Sequence, residues 1–284
     1  MSLTAKGRVA GVMGWPVGHS RSPRLHGHWL AQYGVDGAYV PMAVPPDRIG
    51  EALRALTAFG FVGCNVTLPH KEAAFAAMDE LDDSARRMGA VNTVVALPDG
   101  RLRGGNTDGF GFMENLRHGA PGWRADAGPA VVIGAGGAAR AIIVALLDAG
   151  APEVRLTNRT TQRAEALRDE LASVGSAGRV TVADWVSRET LTAEANLLVN
   201  TTTQGMTGQP ALDLRLEALP LAALVTDAVY TPLETPLLAA ARARGHQAVD
   251  GFGMLLHQPR PGFKAWFGVE PEVTAELRAA VLAG

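Results

Sequence analysis

The sequence predicts an α/β protein that is divided into two domains. Short apolar segments with the length of β-strands alternate with longer amphipathic segments over most of the 284 residues. Such alternation is typical of a mostly parallel sheet covered by helices. The composition changes at 119–129, where glycine and proline cluster and periodic apolar residues are few, and a second α/β series then begins. A chain of this length can bury one large core or two of moderate size.

The first α/β series occupies about the first hundred residues. Ser22, Pro23 and Gly34 are a favourable N-cap, first-turn residue and stop for the first helix. A hairpin is expected across Pro98-Asp99-Gly100, and Asp108 is a candidate N-cap for the helix after it. The predicted elements are strands at 8–12, 38–42 and 61–67, helices at 23–33, 47–59 and from 71, hairpin strands at 90–97 and 101–104, and a helix at 109–118.

The second series follows residue 129 and shows the same alternation. Its predicted elements are strands at 130–133, 153–157, 180–183, 197–200 and 224–228, and helices at 138–149 and 162–173. An amphipathic helix at 270–283 is predicted to close the chain.

Composition and charge argue against several classes of partner. The net charge is −2 and charged residues make up 19% of the chain, so there is no basic field for nucleic acid. The longest apolar run, at 141–147, is too short to cross a bilayer, and the N-terminus lacks the apolar segment of a signal peptide. Cys64 is the only cysteine, which favours a reducing compartment. We therefore expect a cytoplasmic protein with no nucleic-acid or membrane partner.

A glycine-rich turn between the first strand and the first helix of the second series marks a nucleotide site. The turn consists of Gly134, Ala135, Gly136, Gly137 and Ala138. Glycines let backbone N–H groups approach a pyrophosphate closely, and the start of the next helix adds partial positive charge. Because a strand and a helix flank this turn, it is a dinucleotide-binding fingerprint of the Rossmann type rather than an ordinary tight turn.

The end of the following strand favours NADP over NAD. Proteins that bind NAD usually have Asp or Glu there, which accepts hydrogen bonds from the ribose 2′-OH. This chain has Asn158, Arg159 and Thr160 instead, with Arg163 one turn later. Arginine binds phosphate through two parallel hydrogen bonds, so the pair predicts a site for a 2′-phosphate. The alternative, two solvated arginines at a helix start, is electrostatically unfavourable.

Lys71 is a candidate proton-transfer residue. The chain carries 26 basic residues, but Lys6, Lys71 and Lys264 are the only lysines. Lysine can exchange a proton where arginine stays charged, and Lys71 closes a polar run that contains Asn65 and Thr67. A surface lysine at a helix start is the alternative that these residues alone leave open.

Further polar residues lie where the fold pattern would accept apolar ones. Ser20 and Ser22 precede the first helix and are suited to bind a carboxylate at its N-terminus. Asn92 opens a predicted strand, Asp108 follows another, and Gln258 closes a glycine-containing run near the C-terminus.

Together these clusters resemble the shikimate dehydrogenase family. The resemblance covers nearly the whole chain, and the motifs occur in the family's order: Ser20-x-Ser22-Pro23, Asn65-Val-Thr67-x-Pro69-x-Lys71-Glu72, Gly89-Ala-Val-Asn92-Thr93, Asn106-Thr107-Asp108-Gly109, Gly134-Ala-Gly-Gly-Ala, Asn158-Arg159-Thr160 and Gly253-Met-Leu-x-x-Gln258. The resemblance implies an enzyme that interconverts 3-dehydroshikimate and shikimate with NADP, in aromatic amino-acid biosynthesis. It also implies a substrate domain formed by 1–108 and 251–284, and an NADP-binding Rossmann domain at 109–250.

The resemblance also implies roles for individual residues. Lys71 and Asp108 would form the catalytic pair, and Ser20 and Ser22 would bind the substrate carboxylate. The ring hydroxyls would be bound by Asn65, Thr67, Asn92, Asp108 and Gln258, with Tyr230 nearby. The cofactor would contact Gly134, Ala135, Gly136, Gly137, Ala138, Asn158, Arg159, Thr160, Arg163, Thr202, Met206, Gly251 and Met254.

Two positions depart from the family pattern. Gly105 replaces the acidic residue that often precedes the Asn-Thr-Asp run, so the surroundings of Asp108 are expected to be less negative. The run from Asn200 to Met206 lacks the serine that is common within it. This second departure bears on contacts at the nicotinamide side of the cofactor.

Other functions stay open at this point. A dual shikimate/quinate dehydrogenase is the nearest alternative, although Ser20 favours shikimate because relatives that accept quinate commonly alter this serine. A non-catalytic, nucleotide-binding regulatory protein would be expected to lose Lys71 or Asp108. A metal enzyme built on His19, His26 and His28 is disfavoured and no metal site is expected, because His26 and His28 lie two residues apart on a helix and do not share a face. The expected assembly is a monomer or a homodimer.

Overall fold

The computed structural model describes residues 3–173 and 179–283. The chain forms two compact units. One contains Met1–Thr107 and Gln258–Gly284, and the other contains Asp108–His257.

The first unit is built from strands separated by short helices. Up to residue 107 its elements are β1 (Arg8–Gly14), α1 (Ser22–Gln32), β2 (Gly37–Ala43), α2 (Ile49–Ala58), β3 (Phe61–Val66), α3 (Lys71–Ala76), β4 (Glu80–Leu81), α4 (Asp83–Met88), β5 (Thr93–Ala96) and β6 (Leu102–Gly105). A 3-10 turn at Pro46–Arg48 precedes α2.

These strands form one sheet in the order β2-β1-β3-β5-β6-β4. β1 is parallel to β2 and β3, and β4 is parallel to β6, whereas β5 is antiparallel to β3 and β6. The prediction of a mostly parallel sheet is therefore confirmed. Asn65 pairs with Thr93, and Thr93 pairs with Gly105, so the start of β5 lies beside the ends of β3 and β6.

The second unit begins at the predicted helix after β6. Its elements are α5 (Asp108–Gly119), β7 (Ala130–Ile133), α6 (Gly137–Asp148), β8 (Val154–Thr157), α7 (Thr161–Leu171), β9 (Val180–Ala183), β10 (Leu197–Asn200), β11 (Leu224–Asp227), α8 (Pro236–Ala243), β12 (Ala248–Val249) and α9 (Phe252–His257). β7 and β10 are buried along their whole length, as expected for parallel strands that are covered on both faces.

The sheet of the second unit has the order β12-β11-β10-β7-β8-β9, and all neighbouring strands are parallel. With β7 counted as the first strand, this is the 3-2-1-4-5-6 order of a Rossmann fold. The direction of strand addition reverses between β7 and β10, and ligands of such folds bind outside the carboxyl ends of the strands at this point. The predicted fold class is confirmed.

Two C-terminal helices complete the first unit: α10 (Arg260–Phe267) and α11 (Ala275–Leu282). α10 packs against β3 and β5, and the indole Nε1 of Trp266 donates to the carbonyl oxygen of Val94 at 2.9 Å. The indole Nε1 of Trp29 donates to the carbonyl of Glu272 at 2.9 Å. The first bond ties α10 to β5, which lies about 170 residues earlier in the chain, and the second ties the segment before α11 to α1.

Several predicted boundaries differ from the structure, and three of them concern the domain division and the starts of two helices. The expected substrate domain resumed at residue 251, but α9 packs against α5 and therefore belongs to the second unit. The terminal helix begins at Ala275 rather than 270, where Thr274 accepts a capping hydrogen bond from the N–H of Leu277 at 3.2 Å. Asp108 is the first residue of α5 rather than a cap that precedes it.

No helix in the described part of the chain combines the length and the apolar character that a bilayer span requires.

Candidate active site

The polar residues predicted in the first unit gather at one edge of its sheet. β1, β3 and β6 end at this edge and β5 starts there. The ends of β1 and β3 and the segments that follow them carry Ser20, Ser22, Asn65, Thr67 and Lys71, and Asn92 directly precedes β5. The sheet thus brings together residues that are distant in the sequence.

Asn65 is held by hydrogen bonds at both ends of its amide. Its Oδ1 accepts from the hydroxyl of Tyr39 at 2.6 Å, and its Nδ2 donates to the carbonyl of Asn92 at 3.1 Å and to Oγ1 of Thr93 at 3.3 Å. Burial, with a smaller effect of Cys64, raises the pKa of Tyr39 well above its ordinary value. The Tyr39 hydroxyl therefore keeps its proton and remains a donor.

Asn92 anchors the segment that leads into α5. It is buried, and its Oδ1 accepts from Oγ1 of Thr93 and from the backbone N–H of Thr107, each at 2.9 Å. The neighbouring Asn106 donates from Nδ2 to the carbonyl of Ala90 at 3.1 Å. The loops before β5 and after β6 are thereby fixed to each other.

Lys71 is the first residue of α3 and is half-buried. Its carbonyl accepts the N–H of Val91 at 2.9 Å, and the N–H of Thr67 donates to the carbonyl of Met13 at 2.9 Å. The Leu68–Pro69 peptide between them is cis. The run from Asn65 to Lys71 is therefore bonded on one side to β1 and on the other to the segment before Asn92.

The prediction that Ser22 caps the first helix is wrong. α1 begins at Ser22 itself, Arg21 occupies the N-cap position, and no side chain caps the helix there. Ser20 Oγ instead accepts the N–H of Ser22 at 3.3 Å. Pro23 in the first turn was predicted correctly.

Gln258 belongs to the first unit and lies in the turn between α9 and α10. One helical turn later, Gly262 lies so close to Thr93 that an added Cβ would be 3.2 Å from the Thr93 Cγ2 atom. The start of α10 is therefore near the edge that carries Asn92.

The glycine turn of the second unit follows β7 at the point where the strand order reverses. Gly134 has φ +112, and a Cβ there would lie 2.5 Å from Oγ1 of Thr201, so only glycine fits. A Cβ on Gly136 or Gly137 would meet no atom within 4 Å, which leaves this backbone open to a ligand. Gly136 is the N-cap of α6 and has no side chain to satisfy the first N–H groups of the helix. The turn therefore fits a pyrophosphate.

Arg159 follows the carboxyl end of β8, Arg163 lies in the first turn of α7, and both are exposed. Their side chains have no hydrogen-bond or ion-pair partner among residues 3–173 and 179–283. Asn158 shapes this loop by donating from Nδ2 to the carbonyl of Thr160 at 2.8 Å. No carboxylate ends β8, so the cations are available for an anionic group.

The other predicted cofactor residues lie at the same edge of the second sheet. Thr202 and Met206 follow β10, and Met206 is exposed. Gly251 follows β12 and passes so close to the carbonyl of Asp227 that a side chain would not fit. Met254 is half-buried on α9. Because all strands of this sheet are parallel, their carboxyl ends present these loops together.

Tyr230, a predicted substrate contact, and Asp108 both lie in the second unit. Tyr230 follows β11, and its ring centroid is 6.1 Å from that of Phe252.

Sequence reasoning did not identify Tyr39 or Asp227, two buried groups that hold site residues in place. Asp227 ends β11 and bonds to Asn200, which ends β10. Burial raises the pKa of Asp227 to about 6. The sequence signal for Asp227 was the pair of polar residues, Asn200 and Asp227, that end two mostly apolar strands. No comparable signal marks Tyr39, which lies within β2.

In the described part of the chain, no three His, Cys, Asp or Glu side chains are grouped as metal ligands. His26 is buried and stacks on Tyr39 with ring centroids 3.8 Å apart.

The fold and the glycine turn define a two-unit α/β protein with a dinucleotide-binding domain. Residues 12–94 match a family model described as the shikimate dehydrogenase substrate binding domain, and residues 124–204 match one described as shikimate/quinate 5-dehydrogenase. The shikimate dehydrogenase (NADP(+)) of Rhodospirillum rubrum is 63% identical over 280 residues, which cover 99% of both chains. The chain belongs to the shikimate dehydrogenase family.

Solved structures show the same similarity. A quinate dehydrogenase from Corynebacterium glutamicum in complex with NAD has a TM-score of 0.90 at 32% identity, covering 98% of this chain and 99% of that one. A shikimate 5-dehydrogenase from Thermus thermophilus in complex with NADP(H) and shikimate has a TM-score of 0.84 at 38% identity, covering 97% of this chain and 99% of that one.

Proposed function

We propose that the protein is an NADP-dependent oxidoreductase that interconverts 3-dehydroshikimate and shikimate. The observation that carries this proposal is the 63% identity, over 99% of this chain, to a curated shikimate dehydrogenase (NADP(+)). The polar edge of the first unit and the glycine turn of the second supply the two kinds of site that such a reaction needs.

NADP fits the residues of the second unit. The turn from Gly134 to Ala138 would hold the pyrophosphate at the start of α6, and Arg159 and Arg163 would bind the 2′-phosphate beside Asn158 and Thr160. The unpartnered guanidinium groups support NADP over NAD. The nicotinamide side of the cofactor would contact Thr202, Met206, Gly251 and Met254.

Shikimate would bind at the polar edge of the first unit. Ser20 and Ser22 would bind the carboxylate, because they lie at the uncapped start of α1. The ring hydroxyls would be bound by Asn65, Thr67, Asn92, Asp108 and Gln258, with Tyr230 nearby.

Lys71 and Asp108 would handle the proton of the reacting hydroxyl. Bound NADP supplies or accepts the hydride, so the chain must provide the group that exchanges this proton. The ammonium of Lys71 would donate to the carbonyl oxygen during reduction, and the neutral amine would take the proton back during oxidation. Asp108 would orient the lysine and the hydroxyl.

Substitution of Lys71 tests this role. We expect Lys71→Ala to lower kcat by about 10²–10⁴-fold with a modest change in the affinity for shikimate, measured by calorimetry. Lys71→Arg keeps the charge but cannot exchange a proton, so it should lose a similar factor. Near-normal turnover of either variant would remove Lys71 from the catalytic role.

The function itself is tested by absorbance at the reduced-nicotinamide band. Purified protein is given shikimate or quinate, each with NADP⁺ or NAD⁺. We expect the highest kcat/KM with shikimate and NADP⁺, and no signal with this pair would contradict the proposal.

A dual shikimate/quinate dehydrogenase is the second candidate. The similarity to a quinate dehydrogenase structure, with a TM-score of 0.90, favours keeping it. The presence of Ser20 supports shikimate as the preferred substrate, so quinate is expected to give a lower kcat/KM in the same assay.

We further propose that the protein is cytoplasmic and is a monomer or a homodimer. Cys64, the only cysteine, is buried as a free thiol, which supports a reducing compartment.

A further inference from the structure

Asp227 is a buried carboxyl group at the end of β11, and it is 1% exposed. Its Oδ1 accepts from Nδ2 of Asn200 and from the N–H of Val229, each at 2.9 Å, and its Oδ2 accepts from Oγ1 of Thr235 at 2.7 Å. A buried carboxyl is costly unless it is hydrogen-bonded. Three donors from three separate segments converge on this one.

The orientation of the Asn200 amide follows from Asp227. Because a carboxylate oxygen only accepts, the amide nitrogen of Asn200 must face it, and the amide oxygen must face the other way. That oxygen accepts from the N–H and the Oγ1 of Thr202 at 3.0 and 2.8 Å. Nδ2 of Asn200 also donates to the carbonyl of Gln204 at 3.0 Å. The amide that Asp227 orients therefore bonds to the loop at 201–206 at two positions, Thr202 and Gln204.

Asp227 also holds the loop after β11 by a hydrogen bond. The bond from Val229 fixes the start of the segment that carries Tyr230. The N–H of Thr207 donates to the carbonyl of Thr231 at 2.9 Å and joins the two loops. Both loops therefore depend on the same carboxyl group.

These loops lie where the nicotinamide half of a dinucleotide is expected. The glycine turn after β7 fits the pyrophosphate, and the unpartnered arginines after β8 lie on one side of it. The other half of the ligand must then extend across the switch point, toward the ends of β10 and β11. Thr201 in the first loop lies against Gly134.

We propose that Asp227 is a positioning residue that fixes the two loops at the nicotinamide side of the cofactor site. The inference rests on the proposed NADP site. It requires that loss of the carboxyl weakens contacts with the nicotinamide half and spares those with the adenosine half.

Three variants separate positioning from stability. Asp227→Ala removes the acceptor for all three donors. Asp227→Asn can keep its oxygen toward Asn200 and Val229 and turn its amide nitrogen to Oγ1 of Thr235, which can accept. Thr226→Val is the matched control, because its hydroxyl donates to the carbonyl of Val249 at 2.8 Å on the same buried strand but faces the other side of the sheet.

The readout compares two ligands on each folded variant by calorimetry. NADP⁺ reports both halves of the site, and adenosine 2′,5′-bisphosphate reports only the adenosine half. For Asp227→Ala we expect NADP⁺ affinity to fall about ten- to hundredfold, with adenosine 2′,5′-bisphosphate unchanged within about twofold. Asp227→Asn should restore most of the NADP⁺ affinity, and Thr226→Val should change neither ligand.

Equal loss of both ligands in Asp227→Ala, or no loss of either, would overturn the inference. If Asp227→Ala does not fold, Thr235→Val removes one of the three donors and should weaken NADP⁺ alone by several-fold; an equal effect on both ligands contradicts the inference there also. Binding needs no turnover, so absence of shikimate oxidation would count against the proposed reaction and not against this role.

Discussion

Arg159 and Arg163 should determine the preference for NADP over NAD. Both guanidinium groups are exposed, and neither has a side-chain partner in the described part of the chain. Replacing them with glutamine therefore removes no bond that stabilises the fold. The change should act only on a ligand that carries a 2′-phosphate.

The expected decrease in kcat/KM for NADP⁺ follows from the strength of hydrogen bonds to charged groups. Such bonds contribute about 1.5–3 kcal/mol, and solvent exposure favours the lower end of this range. Since about 1.4 kcal/mol is a factor of ten, each single variant should lower kcat/KM for NADP⁺ about tenfold. Because both side chains would contact one phosphate, the double variant should lose at most about 100-fold.

The assay measures kcat/KM for NADP⁺ and NAD⁺ with saturating shikimate. Arg168→Gln is the control, because Arg168 lies further along α7 and pairs with Asp169 at 2.8 Å. The ratio of kcat/KM for NADP⁺ to kcat/KM for NAD⁺ should fall in Arg159→Gln and stay constant in Arg168→Gln. An unchanged ratio in the double variant would refute the assignment of the 2′-phosphate site.

Three further predictions concern groups that support the site. Tyr39→Phe leaves Oδ1 of Asn65 without its donor, so KM for shikimate should rise about tenfold; an unchanged KM would contradict this role. Burial lowers the pKa of His26 from 6.5 to about 3, so between these values the unfolded chain binds a proton that the folded chain excludes, and stability falls as the pH falls. The free energy of unfolding is measured at pH 7 and pH 5 by denaturant titration followed by tryptophan fluorescence. Between these pH values it should fall by about 2 kcal/mol less in His26→Phe than in the parent protein. Equal decreases in the two proteins would show that His26 does not titrate this way. Gly134→Ala places a Cβ 2.5 Å from Oγ1 of Thr201 at φ +112, which should cost about 1–3 kcal/mol of stability and weaken NADP⁺ binding; an unchanged melting temperature would contradict the close approach.

Much of the fold could be predicted because its signals are local. The strands at β7, β9 and β10 were predicted with the bounds that the structure shows, since short apolar runs between turn residues are read directly from the sequence. Short elements such as β4 and α9 were not predicted. Their segments are too short to show a period, and tertiary packing determines their structure.

Some residues of the candidate site likewise have a local sequence signal, and others do not. Gly134 and Arg159 lie in motifs whose meaning depends on the adjacent strand and helix, so the sequence alone predicts a cofactor role for them. Tyr39 bonds to a residue 26 positions away, and Asp227 bonds to one 27 positions away. Such pairings depend on sheet register, which no local pattern reveals. The helix start at Ser22 was misjudged because serine before proline favours a cap without requiring one.

The most direct test of the central claim is the stoichiometry of the reaction. Purified protein is incubated with shikimate and NADP⁺, and 3-dehydroshikimate is quantified by chromatography while NADPH is measured by absorbance. We expect equal amounts of 3-dehydroshikimate and NADPH, formed at a rate that depends on Lys71. NADPH without 3-dehydroshikimate, or no turnover with this pair, would contradict it.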